Sequence, residues 1–116
     1  MRNKKQFRLR ADQIKCLAPN HGGCIATDMI TVNGEKVGFM YRQEAHNELD
    51  SGWMFLSGSE SQEYLDEAAN SEVYDVNTIA NYDPAIIPYL HAPVGSAFES
   101  DPKTGFFVEV DAPPVD

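Results

Sequence analysis

Between Arg42 and Lys103 the sequence contains no lysine or arginine, while twelve acids fall in that stretch. They are Glu44, Glu48, Asp50, Glu60, Glu63, Asp66, Glu67, Glu72, Asp75, Asp83, Glu99 and Asp101. Like charges without an internal counter-ion repel one another, and their field attracts a basic partner. The same field opposes a phosphate backbone, which argues against direct binding of DNA or RNA. Cysteine is also scarce, with Cys16 and Cys24 alone. Two free, partly buried thiols are expected in a reducing compartment. Cys16 and Cys24 with His21 between them do not make a zinc spacing, so no metal and no cofactor is expected. No apolar run approaches the roughly 18 residues of a membrane span. The three histidines, His21, His46 and His91, stand beside no nucleophile motif, and neither a Gly-x-Ser-x-Gly elbow nor a phosphate-cradling glycine loop occurs.

The cations that are present crowd the start. Six of the nine (Arg2, Lys4, Lys5, Arg8, Arg10 and Lys15) lie within residues 1–15, against the single acid Asp12. No apolar stretch of signal-peptide length follows Met1, so a cytoplasmic location is expected. A chain of 116 residues has the size of one domain, and its core needs neither disulfide nor metal. A single domain over 1–116 is expected, with 1–5 and 111–116 frayed. Oligomeric state is not legible in the sequence.

Local patterns divide the chain into strands and short helices. Phe7-Arg8-Leu9-Arg10 alternates as an edge strand would. A helical turn over 11–17 would bury Ile14 and Leu17. Asn33-Gly34 between β-prone runs marks a tight hairpin, because both residues tolerate positive φ. It would place Val37, Phe39 and Tyr41 on the buried face of the following strand. Residues 52–57 are apolar at every central position, the pattern of a strand covered on both faces. Ser59 with Gln62 suggests a capping box opening a helix over 60–69, with Tyr64, Leu65 and Ala68 inward. Asp75 suits the N-cap of a second helix over 76–82. Pro84 and Pro88 then force a further turn, and a closing hairpin spans 96–110 around Asp101-Pro102-Lys103-Thr104-Gly105. These elements predict an α+β domain: an antiparallel sheet of about five strands with short helices packed on one side.

Catalytic readings are weak. Asp75, Asn77, Asn81 and Asp83 resemble the opening of a calcium loop, but Ile79 and Ala80 stand where an oxygen ligand and glycine are required. Eighteen acids always permit a carboxylate pair, yet nothing in the sequence sets a separation between two of them. Trp53 fits either a core position or an interface anchor.

Five segments taken in order resemble one family: residues 24–30 (CIATDMI), 37–42 (VGFMYR), 50–53 (DSGW), 74–84 (YDVNTIANYDP) and 95–98 (GSAF). The chain is similar to small bacterial domains grouped with the immunity proteins of polymorphic toxin systems, the thirty-third immunity family. That resemblance implies a protein that binds and blocks a cognate toxin without chemistry of its own. If the toxin is a basic enzyme such as a nuclease, the acidic surface supplies charge complementarity. The expected partner-binding residues are Glu48 and Asp50 before Trp53, with Glu60, Glu63, Asp66 and Glu67 on the capped helix. Ordinary solubilising surface is the plainer account of the same acids. The alternative is a small ligand-binding domain or enzyme whose pocket involves Trp53, Asn77, Asn81 and Asp83. A third reading is a housekeeping interaction domain with no toxin involved.

Overall fold

In the computed structural model, which describes residues 5–112, six strands form one sheet in the order β4-β1-β3-β2-β5-β6. These are β1 (Gly23–Thr27), β2 (Phe39–Arg42), β3 (Asp50–Leu56), β4 (Ser71–Asp75), β5 (Ala97–Ser100) and β6 (Phe107–Val110). Every neighbouring pair is antiparallel except β1 and β3, which run parallel. Three short helices accompany them: α1 (Asp28–Thr31), α2 (Gln62–Asp66) and α3 (Val76–Tyr82). A 3₁₀ helix, Pro84–Tyr89, follows α3. The α+β class is as expected, with a sixth strand and one parallel pair added.

The core lies on one face of the sheet. Cys24, Ala26, Met40, Trp53, Phe55 and Phe107 project from the strands onto Ile30 of α1, onto Val76, Ile79 and Ala80 of α3, and onto Ile86 and Leu90. Trp53 is 2% exposed, and its indole N–H donates to the Leu90 carbonyl at 3.2 Å, which satisfies the one polar atom the ring buries. α3 begins where expected, with Asp75 accepting from the Asn77 N–H at 2.8 Å. The β5–β6 hairpin also forms as expected, around a turn closed by Gly105 N–H on the Asp101 carbonyl.

Several local expectations are corrected. Asn33-Gly34 does not make a hairpin, because β1 runs directly into α1 and Gly34 (φ 80°) terminates that helix. Gly34 N–H bonds the Ile30 carbonyl and Glu35 N–H the Met29 carbonyl, both at 3.0 Å. The Gly34 bond is that of an αL cap, which uses the same tolerance of positive φ that a tight hairpin uses. Residues 7–10 are not a strand. They begin a strap over α1 and α3 that runs on to Ala18, with Arg8 N–H on the Thr31 carbonyl at 2.7 Å and Leu9 N–H on the Tyr82 hydroxyl at 3.1 Å. Only Ala11–Gln13 turns, as 3₁₀, and Leu17 is exposed.

In the segment before β2, Val37 is buried, yet within the strand Met40 faces the core while Phe39 and Tyr41 face away. The reason is Gly38: a Cβ there would lie 2.0 Å from the Ser57 carbonyl oxygen, so the chain passes too close to β3 for the alternation to run through it. α2 is capped by Ser61, whose Oγ accepts from Tyr64 N–H at 3.1 Å, and not by Ser59. The helix is half the expected length, and Ala68 lies in a 3₁₀ turn outside it, exposed. Of the ends expected to fray, 1–4 and 113–116 lie outside the described residues. Lys5 is held, pairing with Asp28 at 3.0 Å and Glu72 at 2.8 Å, while Asp111 and Ala112 are exposed without secondary structure.

Candidate partner-binding surface

The six acids expected to form one contact surface are divided by the fold. Glu48 and Asp50 precede and open β3, whereas Glu60, Glu63, Asp66 and Glu67 follow its far end. Seven strand residues separate the two groups by roughly 20 Å. Within each group the carboxylates differ. Glu48, Glu63, Asp66 and Glu67 are exposed. Glu60 instead accepts hydrogen bonds from Thr27 Oγ1, from Ser57 N–H at 2.8 Å and from Gly58 N–H at 2.9 Å. Burial pushes its carboxyl up, but those bonds outweigh burial and hold it below the ordinary carboxylate range. Asp50 is likewise engaged. It accepts from the His46 N–H and Gly52 N–H, each at 2.9 Å, and meets the His46 ring at 3.1 Å. Burial is again outweighed, and the Asp50 carboxyl lies below its usual value.

None of the four residues of the alternative pocket lines the cleft beside Gly23. Trp53 is in the core. Asn77 and Asn81, one turn apart on α3, grip the strap. Asn77 Oδ1 accepts from Leu17 and Ala18 N–H at 2.7 and 2.8 Å, and Asn81 Oδ1 accepts from Lys15 N–H at 2.8 Å. Both side-chain amides donate to the Lys15 carbonyl. Asp83 is buried, accepting from Val37 N–H at 3.0 Å and Ala85 N–H at 3.1 Å. Each of these three polar side chains thus satisfies backbone that would otherwise lack a partner.

The second face of the sheet was missed in the sequence. Val73, Ile25, Met54, Tyr41, Ala97 and Val110 occupy one register row across all six strands, from β4 to β6. Leu56, Phe39, Glu99 and Val108 form part of the next row. None of these residues belongs to the core cluster, whose helices sit on the opposite face. Val73 is 74% exposed and Val108 48%, and Ile25, Met54, Phe39, Tyr41 and Val110 keep partial exposure, while Ala97 and Leu56 are buried among them. The signal was available: β3 is apolar on both faces in a fold whose helices pack on one.

At one end of this face Gly23 forms the floor of a cleft of ≈ 630 Å³, with Leu49 and Val73 on either side. Asp50 and Asp75 both pair in register with Gly23 and line the same cleft. Cys24 lies against it, but burial first, then Asp75 and Asp50, push its thiol far up. It stays protonated and is a poor nucleophile. The His21 and His91 rings lie 5.1 Å apart, tilted by 57°. Cys16 is a free, exposed thiol, whereas a partly buried one was expected. Among the described residues no three His, Cys, Asp or Glu side chains converge to hold a metal, and no helix is long and apolar enough to cross a membrane.

The surface therefore offers apolar area and carboxylates. Comparison with curated proteins and with solved structures gives no match. Residues 24–111 match the family described as Immunity protein Imm33 domain, from the start of the β1 core through β6. The match spans about three-quarters of the chain and takes in every strand, so the chain belongs to the Imm33 immunity-protein family.

Proposed function

We propose that the chain is a non-catalytic immunity protein that acts in the cytoplasm by binding and neutralising a cognate toxin, and that the toxin is a basic protein such as a nuclease. Family membership supplies the general role. The observation that carries the partner's chemistry is the sixty-residue stretch without a cation, from which Glu48, Glu63, Asp66 and Glu67 present carboxylates to solvent. A negative field of this kind accelerates encounter with a basic surface and discriminates against acidic ones. Glu60 and Asp50 also support the fold, because their oxygens accept backbone and side-chain bonds.

Co-expression in a bacterial host with a panel of basic toxin domains, nucleases first, tests the reading. The expected result is restored growth against one toxin and co-purification of a stable complex. Converting Glu63, Asp66 and Glu67 to lysine should slow association with that toxin by about tenfold and flatten its salt dependence. Growth rescue with unchanged association rates would remove the electrostatic part of the proposal, and no rescue against any toxin would remove the whole.

A further inference from the structure

We infer that the uncovered face of the sheet is where the partner docks, and that it receives an apolar ridge flanked by lysine or arginine, whose cationic side chain enters the cleft over Gly23. This rests on the toxin-binding reading and adds the surface and the chemistry of what covers it.

The apolar face has the dimensions of an interface centre. Six strands at ~4.8 Å spacing span about 24 Å, and two to three register rows add about 15 Å, giving an area near 360 Å². Apolar patches of this size on a lone domain are commonly functional. A standard interface takes about 800 Å² from each partner, with an apolar centre and a polar rim. The rim here is acidic. Glu99 lies in the second row between Phe39 and Val108, and Asp50 and Asp75 flank Gly23 at the cleft.

Cations are directed elsewhere. Lys5 pairs with Asp28 and Glu72 and also donates to the Ala69 carbonyl. Arg8 donates to the Asn33 carbonyl, and Lys36 to that of Tyr82, on the helix layer. Arg42 points into the core side of its strand, donating to the Ser51 and Ala92 carbonyls and lying 5.8 Å from the Trp53 ring centroid. Of the three carboxylates on the sheet face, Asp50 meets the His46 ring at 3.1 Å, whereas Glu99 and Asp75 pair with none of these four cations. That asymmetry selects the occupant. A second copy of this chain would bring Glu99, Asp50 and Asp75 against their own like charges, on molecules already at net −9, which is unfavourable. A basic partner meets complementary charge around an apolar centre.

The cleft makes the match more specific. Asp50 and Asp75 sit on the strands either side of Gly23, so their Cα atoms are roughly 10 Å apart. A long cationic side chain lies between them with its methylene stem against Leu49 and Val73. A carboxylate oxygen has two lone pairs, so the bonds each already accepts leave room for another donor.

The test uses full-length chain and, as probe, an inactive variant of the toxin against which wild-type chain restores growth. Val73→Arg combined with Val108→Arg alters two exposed residues of the face. Leu17→Arg, on the strap over the helix layer, is the matched control, 42% exposed. An unchanged unfolding midpoint, read from Trp53 fluorescence, establishes that each variant is folded. The expected result is at least a hundredfold loss of affinity for the double variant and less than twofold for Leu17→Arg. Equal losses in the two, or none in either, would overturn the assignment of the face. So would sedimentation showing a wild-type dimer that the double variant dissociates, since a second copy would then be the occupant. A wild-type chain that rescues against no toxin overturns the toxin-binding reading itself, an outcome distinct from rescue that survives the double variant.

Discussion

Replacing Glu60 by alanine should destabilise the domain by about 2–4 kcal/mol, although the residue lies in a surface loop of a strongly acidic chain. Removing one charge from a repelling set would by itself stabilise. Opposing that gain, the carboxylate accepts from Thr27 Oγ1, Ser57 N–H and Gly58 N–H, and hydrogen bonds to a charged group contribute ~1.5–3 kcal/mol each before solvent screening. Thr27 is fully buried, so its hydroxyl loses its partner at a cost of ~1–3 kcal/mol. The three bonds share one carboxylate and are not additive, and partial exposure weakens them, which brings the total to the lower range. Urea unfolding followed by fluorescence of the single tryptophan, Trp53, should show a lower midpoint at an unchanged slope. Glu60→Gln should lose less, because an amide oxygen still accepts. The pH dependence follows from the sign of the shift. The folded carboxyl lies below its ordinary value of 4.5, so its contribution is fully present above that value and is lost as pH falls through the folded pKa. The gap between wild type and Glu60→Gln should be constant near neutrality and close in acid. A Glu60→Ala change within ~0.5 kcal/mol of that for exposed Glu63→Ala, the usual range for a surface substitution, would refute the assignment.

The strap and the histidine pair give two further expectations. Asn77→Ala with Asn81→Ala removes every side-chain bond that holds the backbone of Lys15, Leu17 and Ala18 to α3; amide exchange at those three residues should accelerate by tenfold or more while β3 stays protected, and retained protection would mean the strap is held by packing. His21 is kept below its ordinary 6.5 by burial first, then by His91 and Arg42, against a smaller pull from Asp75. A base with a depressed folded pKa supports the fold above its unfolded value and opposes it as pH falls through the folded one. Melting temperature should therefore drop less between pH 7 and pH 5 in His21→Gln than in wild type, and parallel curves would contradict this.

What the sequence conveyed depended on whether the controlling contact was local. Asp75 caps α3 two residues away, Pro84 follows its end and opens the 3₁₀ helix, and the 97–110 hairpin closes on its own turn; each is read from neighbours. β4 could not be read so. Ser71–Asp75 has no clean apolar alternation, and it is a strand because β1, some fifty residues earlier, offers it a ladder. Asn33-Gly34 was read for its backbone tolerance, which a helix end and a tight hairpin share, and only the course of β1 into α1 decides between them. The burial of β2 turned on one glycine and a carbonyl nineteen residues away. The acids show the same limit most clearly. Composition reveals that they are unbalanced, yet whether a carboxylate faces solvent, as Glu63 does, or holds the fold together, as Glu60 does, depends on where Thr27 lies in space.

That sorting of the charges has a kinetic consequence. Long-range charge acts mainly on encounter, while desolvated apolar contact acts mainly on lifetime. The exposed acids of α2 lie beyond the C-terminal end of β3, away from the Gly23 cleft, whereas Val73 and Val108 lie on the face itself. Reversing Glu63, Asp66 and Glu67 should therefore lower the association rate with the rescued toxin and leave dissociation nearly unchanged. Val73→Arg with Val108→Arg should do the opposite: a partner still drawn by the field arrives at close to the wild-type rate and leaves faster, because two cations now stand where its apolar ridge and its own basic rim must settle. Stopped-flow measurement at two salt concentrations separates the two constants. If both variants change the same constant, steering and docking are a single surface, and the division of labour between the acids and the sheet face is wrong.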